Sequence, residues 1–194
     1  MSLLETLHQR LGGDVVDRIS SQIGADPGTT SNAIDSALPL LIAAMARNTG
    51  DDAQARSLAN AVSQDHDGSI LDDVPGYVTR PDQQAGTGIL RHVLGGRQQT
   101  VQNGLSQTTG LEVGKVGSLL TMLAPLVMGA LGRAKREGNL DERGLSTLLT
   151  GEQARLNDSA PGVMGTLGRL LDRDKDGSVM DDVGGLLGKA LGGR

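Results

Sequence analysis

Two stretches of this chain say the same thing twice. Leu123-Ala124-Pro125-Leu126-Val127-Met128-Gly129-Ala130-Leu131-Gly132-Arg133 echoes Leu38-Pro39-Leu40-Leu41-Ile42-Ala43-Ala44-Met45-Ala46-Arg47, with proline on proline and arginine on arginine. Shorter echoes surround them: Leu90 to Gly96 repeats Leu7 to Gly13, and Leu145-Ser146-Thr147-Leu148 answers Leu58-Ala59-Asn60-Ala61. Self-similarity of this kind constrains a fold strongly, because a duplicated unit must bury equivalent apolar faces in both copies. The expected fold is all-α, with two pseudo-repeated helical bundles of about 80 residues, each ending in an acidic EF-hand-like loop. The first repeat is placed at 1–78, a connector at 79–86, and the second repeat, with an inserted helix, at 87–194.

Local signals agree with helices. Leu3 to Leu11 carries apolar residues at helical spacing, Gly12-Gly13 ends that segment, and Asp14 is expected to cap the next helix as far as Ser21 or Ile23. Ala25-Asp26-Pro27 starts a longer helix with Ile34, Leu38, Leu41, Ile42 and Met45 on one face, and Pro39 is expected to kink it. Val116, Leu119, Leu120, Leu123, Leu126, Val127, Ala130 and Leu131 keep the three-four spacing of an amphipathic helix. Aromatic residues are 1% of the chain, Tyr77 alone, so the core must be Leu, Val, Ile, Ala and Met. That composition suits closely packed helices better than an aromatic-rich β-sandwich. The prolines and glycines between Val74 and Gly86 read as the connector.

The acidic stretches carry the chemistry. Asp172-Arg173-Asp174-Lys175-Asp176-Gly177-Ser178-Val179-Met180-Asp181-Asp182 sets oxygen donors at every second position, then glycine, a carbonyl position and an apolar residue. This is how an EF-hand loop begins to wrap Ca²⁺. It closes early, since Asp181 and Asp182 precede the twelfth position, which is Val183. Ser63-Gln64-Asp65-His66-Asp67-Gly68-Ser69-Ile70-Leu71-Asp72-Asp73 is a weaker copy that opens with serine. The candidate metal ligands are therefore Asp172, Asp174, Asp176, Ser178, Asp181 and Asp182 in one loop, and Asp65, Asp67, Ser69, Asp72 and Asp73 in the other. The plainer reading is a pair of Asx turns whose last aspartates cap the following helices.

Other functions find little support in the sequence. There are no cysteines, hence no disulfide framework or thiolate site. A net charge of −5 disfavours nucleic acid and anionic membranes as partners. The apolar runs at 37–46 and 119–131 are short for a membrane span, and the N-terminus lacks a signal-peptide pattern, so a cytoplasmic location is expected. His8, His66 and His92 lack spaced catalytic partners, and no phosphate loop or nucleophile elbow occurs. Junctions at Ile23-Gly24-Ala25-Asp26 and Thr109-Gly110-Leu111-Glu112 have the shape of helix-turn-helix elements but few basic residues nearby.

Leu123 to Arg133, the Leu-Gly-Gly-Arg run at Leu94 to Arg97 and the Asp-x-Asp-Gly-Ser loops resemble the bacterial proteins grouped as domain of unknown function 937 and, more distantly, YidB-like proteins. The resemblance spans most of Leu3 to Leu191 and implies an all-helical bacterial protein. It carries over no catalytic residue. The sequence thus points to a non-enzymatic, Ca²⁺-binding helical protein that self-associates as a homo-oligomer or filament, its glycine-rich segment Val183 to Leu191 a candidate contact. The alternative is a helix-turn-helix-like regulatory or DNA-binding module.

Overall fold

In the computed structural model, residues 2–159 and Gly165 are described, and every regular element among them is helical. The order is α1 (Leu3–Arg10), α2 (Gly13–Ile23), α3 (Pro27–Asn48), α4 (Asp52–Asp65), a 3-10 turn (Ser69–Leu71), α5 (Val74–Thr79), α6 (Gln83–Leu94), a second 3-10 turn (Gly95–Arg97), α7 (Gln98–Thr109), α8 (Val113–Glu137) and α9 (Glu142–Ser159).

Two long helices, α3 and α8, pack against each other at the centre. Each is apolar around most of its circumference over its middle turns, and a helix without a polar face is stable only when neighbours surround it. Residues 37 to 46 of α3 and 119 to 132 of α8 are accordingly all buried. The other helices form the sheath. α2 packs on α3, and α7 on α8; α1 and α4 reach across to α8, while α6 touches both and α9 lies along α3. α6 and α8 approach closely at Gly86, where a Cβ would overlap the backbone carbonyl of Thr121.

The helix ends follow from local chemistry. Asp26, Asp51, Asp73 and Asp82 each accept backbone N–H bonds from the first turn of α3, α4, α5 and α6, satisfying donors that have no intrahelical partner. Gly24 (φ 65°) and Gly110 (φ 75°) end α2 and α7 in the left-handed conformation that glycine adopts without steric cost. Buried polar side chains turn to nearby backbone: Ser20, Thr30 and Thr121 donate to carbonyls three or four residues back, and Asn48 donates to the carbonyls of His92 and Val93. Glu152, 2% exposed, accepts the amide of Leu3 at 3.0 Å and so closes the N-terminus of α1 from α9.

Several expectations change. Asp14 does not cap α2; Gly12 occupies that position without a side-chain bond, and Asp14 lies in the first turn, where its charge complements the helix dipole. Most of the stretch read as a connector is helical, because Pro75 falls in the first turn of α5, where its missing N–H costs nothing, and Asp82 starts α6 at once. Pro39 and Pro125 lie inside α3 and α8, each a single helix across its proline, which a kink at that position allows. At 25 residues, α8 is longer than its apolar run and is, among the described residues, the one helix long and apolar enough to cross a membrane. Of its most apolar window, 72% is buried inside the protein.

Candidate functional site

The first acidic loop is the part of the candidate site that falls within the described residues. α4 ends at Asp65, and His66 turns the chain out of the helix. The Asp67 carboxylate accepts the amide of Ser69 at 2.9 Å, forming the Asx turn that its position before Gly68-Ser69 favours. Gly68 takes φ 92°, and a Cβ there would lie 2.8 Å from the Arg133 Cβ and 3.0 Å from the Gly129 carbonyl. Only glycine meets both demands.

The loop is pressed into a notch on α8. Gly129 and Gly132 lie one turn apart on that helix; a Cβ on Gly129 would overlap the side chain of Ile70, and one on Gly132 would overlap the carbonyl of His66. Leu71 follows into the core at 1% exposure. The two glycines thus act as a socket, trading helix propensity for close approach of a second backbone.

Cationic side chains from α8 then meet the loop's charge. Arg133 donates to the carbonyl of Gly68 at 2.9 Å and also pairs with the Asp72 carboxylate. Arg136 stands 3.6 Å from Asp67, and the Lys135 ammonium donates to the Ser63 hydroxyl at 2.5 Å. The Asp67 carboxyl is held below the usual carboxylate range, chiefly by hydrogen bonds from the Ser69 hydroxyl and amide, with Arg136 adding a smaller pull.

The five expected ligands of this loop are divided among separate tasks. Asp67 and Ser69 face each other in the turn, Asp72 belongs to Arg133, and Asp73 caps α5 by accepting the Gly76 amide at 2.9 Å. Asp65 lines a different feature, an open groove of about 520 Å³ between α4 and α6 that also holds His66, Asp82 and His92. Among the described residues no three His, Asp or Glu side chains gather around one point as a metal site requires. Asp72 and Asp67 are drawn to the guanidinium groups of Arg133 and Arg136, while Asp73 is held by the first turn of α5. Asp172, Asp174, Asp176, Ser178, Asp181 and Asp182 lie outside the described residues, as do the helix expected after Pro161 and the segment Val183 to Leu191.

The roles of Arg133, Lys135 and Arg136 are missed by the sequence reading; cationic residues following a Gly-x-x-Gly pair on an apolar helix are the available signal. The histidines are scattered as expected. His8 faces Asp35 at 3.3 Å on the surface, and the ring of His66 has its pKa lowered by burial. Tyr77 holds the one buried side-chain polar atom without a partner among the described residues; burial and the charge of Asp82 push its hydroxyl pKa up.

Compared with known proteins, residues 5–134 match the model of a family described as bacterial protein of unknown function, DUF937. The match takes in the first acidic loop and α8 as far as residue 134, leaving out Lys135 and Arg136, and stops short of the second loop, so it covers less of the chain than the sequence resemblance implied. No curated protein and no solved structure matches the chain.

Proposed function

The chain belongs to DUF937, a bacterial family of unknown function, and from that premise we propose a structural role: a non-enzymatic protein of two duplicated helical units that takes Ca²⁺ at residues 172–182 and self-associates. The duplication reading draws support from packing as well as from letters. α2 and α7 both end in left-handed glycines and lead into α3 and α8. α2 packs on α3 as α7 does on α8, and the helix that follows each long helix reaches to the other one, α4 to α8 and α9 to α3.

What supports the ion at the second loop is its difference in sequence from the first. There, Lys135 and Arg136 bring two positive charges to Ser63 and Asp67. In the aligned register of α3, with Pro39 on Pro125 and Arg47 on Arg133, those two positions are Thr49 and Gly50. The second loop meanwhile has Asp172 where the first has Ser63. The second loop thus has one more carboxylate than the first, beside its own Arg173 and Lys175 where the first has Gln64 and His66, and its alternating aspartates suit a hard divalent ion with oxygen preference. The early closing Asp181 and Asp182 leave water in the coordination shell, so affinity is modest.

A non-catalytic role accords with the use of the buried polar groups on structural hydrogen bonds. The helix-turn-helix alternative is disfavoured by burial, since its would-be recognition helices are α3 and α8, the centre of the core. Self-association follows from two related units presenting similar surfaces at both ends of the chain, which heterologous contacts can join into a ring or filament.

Calorimetric titration of the full chain with Ca²⁺ tests the ion. Binding heat in the wild type that disappears in Asp174→Ala/Asp176→Ala supports the reading, and equal heats reduce the loop to a turn. Light scattering of the same protein in Ca²⁺ and in chelator tests assembly; a monomer in both removes it.

A further inference from the structure

The groove of about 520 Å³ between α4 and α6 is floored by Met128 of α8. Each of its walls is one helix face with polar ends and an apolar middle. On α4 the face carries Ser57, Leu58, Ala61 and Asp65, and on α6 it carries Asp82, Ala85, Ile89 and His92. Spacings of three and four residues keep each set on one side of its helix.

One residue of the α6 wall is there for no reason of packing. Glycine weakens a helix interior relative to alanine. At Gly86 the Thr121 carbonyl leaves no room for a Cβ, but at Gly88 a Cβ would meet nothing within 4 Å. Gly88 is also absent from the glycines with positive φ, so the backbone does not call for it either. What its missing side chain leaves is open width in the groove, which Gly88 lines.

Charge decides what that space suits. Its ionisable residues are Asp65, His66, Asp82 and His92, with neither lysine nor arginine in the lining. Asp82 accepts the Ala85 amide at one oxygen. Asp65 has no hydrogen bond or ion pair among the described residues. Burial lowers the pKa of the neighbouring His66, so its ring is neutral near neutral pH and leaves the Asp65 charge uncompensated.

We propose that this groove binds a linear aliphatic amine, its ammonium on the Asp65 carboxylate and its methylene chain laid over Ala61, Leu58, Ile89 and Met128. Leu58 lies seven residues before Asp65, so about 10 Å of apolar wall runs along α4 from the anionic group. An anion would meet two carboxylates and no cation, and a neutral chain gains nothing from Asp65. Met128, unbranched and adaptable, fits the floor to chains of different length. The site depends neither on residues 172–182 nor on the duplicated-unit reading.

The probes are n-alkylammonium ions from butyl to octyl, added to the full chain with isotope-labelled methionine methyl groups. Residues 172–182 also carry carboxylates, so binding is read at the Met128 methyl and not from total heat. The expected result is a saturable shift of that signal, with affinity rising roughly two- to fourfold per added methylene. Octanol should bind roughly threefold more weakly than octylammonium, or worse, and octanoate more weakly still. Asp65→Asn, at an exposed residue without partners, should remove the preference for octylammonium over octanol. Gly88→Leu should weaken every alkyl probe by roughly tenfold while keeping or raising the urea midpoint, since leucine favours the helix. No Met128 shift with octylammonium, or equal affinities for octylammonium, octanol and octanoate, overturns the proposal. So does an octylammonium affinity that either substitution leaves unchanged.

Discussion

Arg133 on α8 and Asp72 in the first acidic loop form an ion pair across 61 residues of sequence, and the same guanidinium donates to the Gly68 carbonyl. The arginine does what an ion does in an EF-hand: it gathers a carboxylate and a backbone carbonyl of one loop. Its side chain is 15% exposed, whereas that of Asp72 is 68% exposed, so the two partners contribute unequally. Arg133→Met strands a carbonyl and a carboxylate together and should cost about 1.5–3 kcal/mol. Asp72→Asn should cost less than about 1 kcal/mol, as exposed ion pairs do. Urea unfolding of both variants checks the order; equal losses would mean that the Gly68 carbonyl gains nothing from Arg133.

The notch on α8 makes a second prediction. Alanine normally strengthens a helix by about 1 kcal/mol relative to glycine, but at Gly132 its methyl group would overlap the His66 carbonyl. Gly132→Ala should therefore destabilise by about 1–3 kcal/mol. Gly88 lies inside α6 with nothing within 4 Å of a would-be Cβ, and Gly88→Ala should instead stabilise, by up to about 1 kcal/mol. The two midpoints, measured under one set of conditions, should move in opposite directions.

His66 supplies a pH signature. Burial lowers its pKa from the ordinary 6.5, so the unfolded chain takes up a proton before the folded one does. Stability from this group is full above about pH 6.5 and declines as pH falls from there toward the lowered folded value. His66→Gln should flatten that part of the profile, seen as a smaller difference in urea midpoint between about pH 7.5 and pH 5. A profile unchanged by the substitution would show that the ring is hydrated in solution.

Glu152 tethers the chain's first helix. Its carboxylate accepts the Leu3 amide at 3.0 Å and the Arg155 guanidinium at 2.8 Å while itself 2% exposed. Glu152→Ala should cost about 1.5–3 kcal/mol, the range for hydrogen bonds to charged groups, and should raise hydrogen exchange selectively in α1. Loss spread evenly over the protein would place the effect in packing of α9 instead.

Much of this fold is legible in the sequence because it is written in local chemistry. Asp26, Gly24 and Gly110 announce their turns by residue type alone, and the apolar runs around Pro39 and Pro125 announce burial. Val74 to Thr79 misleads, since Pro75 and Gly76 are turn residues in most settings and helix starters only when a cap such as Asp73 precedes them. The site is less legible for a different reason. Spacing of Asp65, Asp67, Ser69, Asp72 and Asp73 matches part of a metal ladder, but which cation answers the carboxylates depends on what a helix more than 60 residues later brings to them. No local rule contains Arg133. The Glu152 to Leu3 bond is invisible for the same reason, spanning 149 residues.

The central claim is that protein cations have taken the ion's place in the first loop while the second still needs one. Native mass spectrometry of the intact chain, sprayed from Ca²⁺ and from Mg²⁺ solution, counts the ions directly. The account predicts one Ca²⁺ per chain, lost in Asp174→Ala/Asp176→Ala and kept in Asp65→Ala/Asp67→Ala. No bound ion contradicts the second loop's role, and two contradict the substitution of Arg133, Lys135 and Arg136 for a metal.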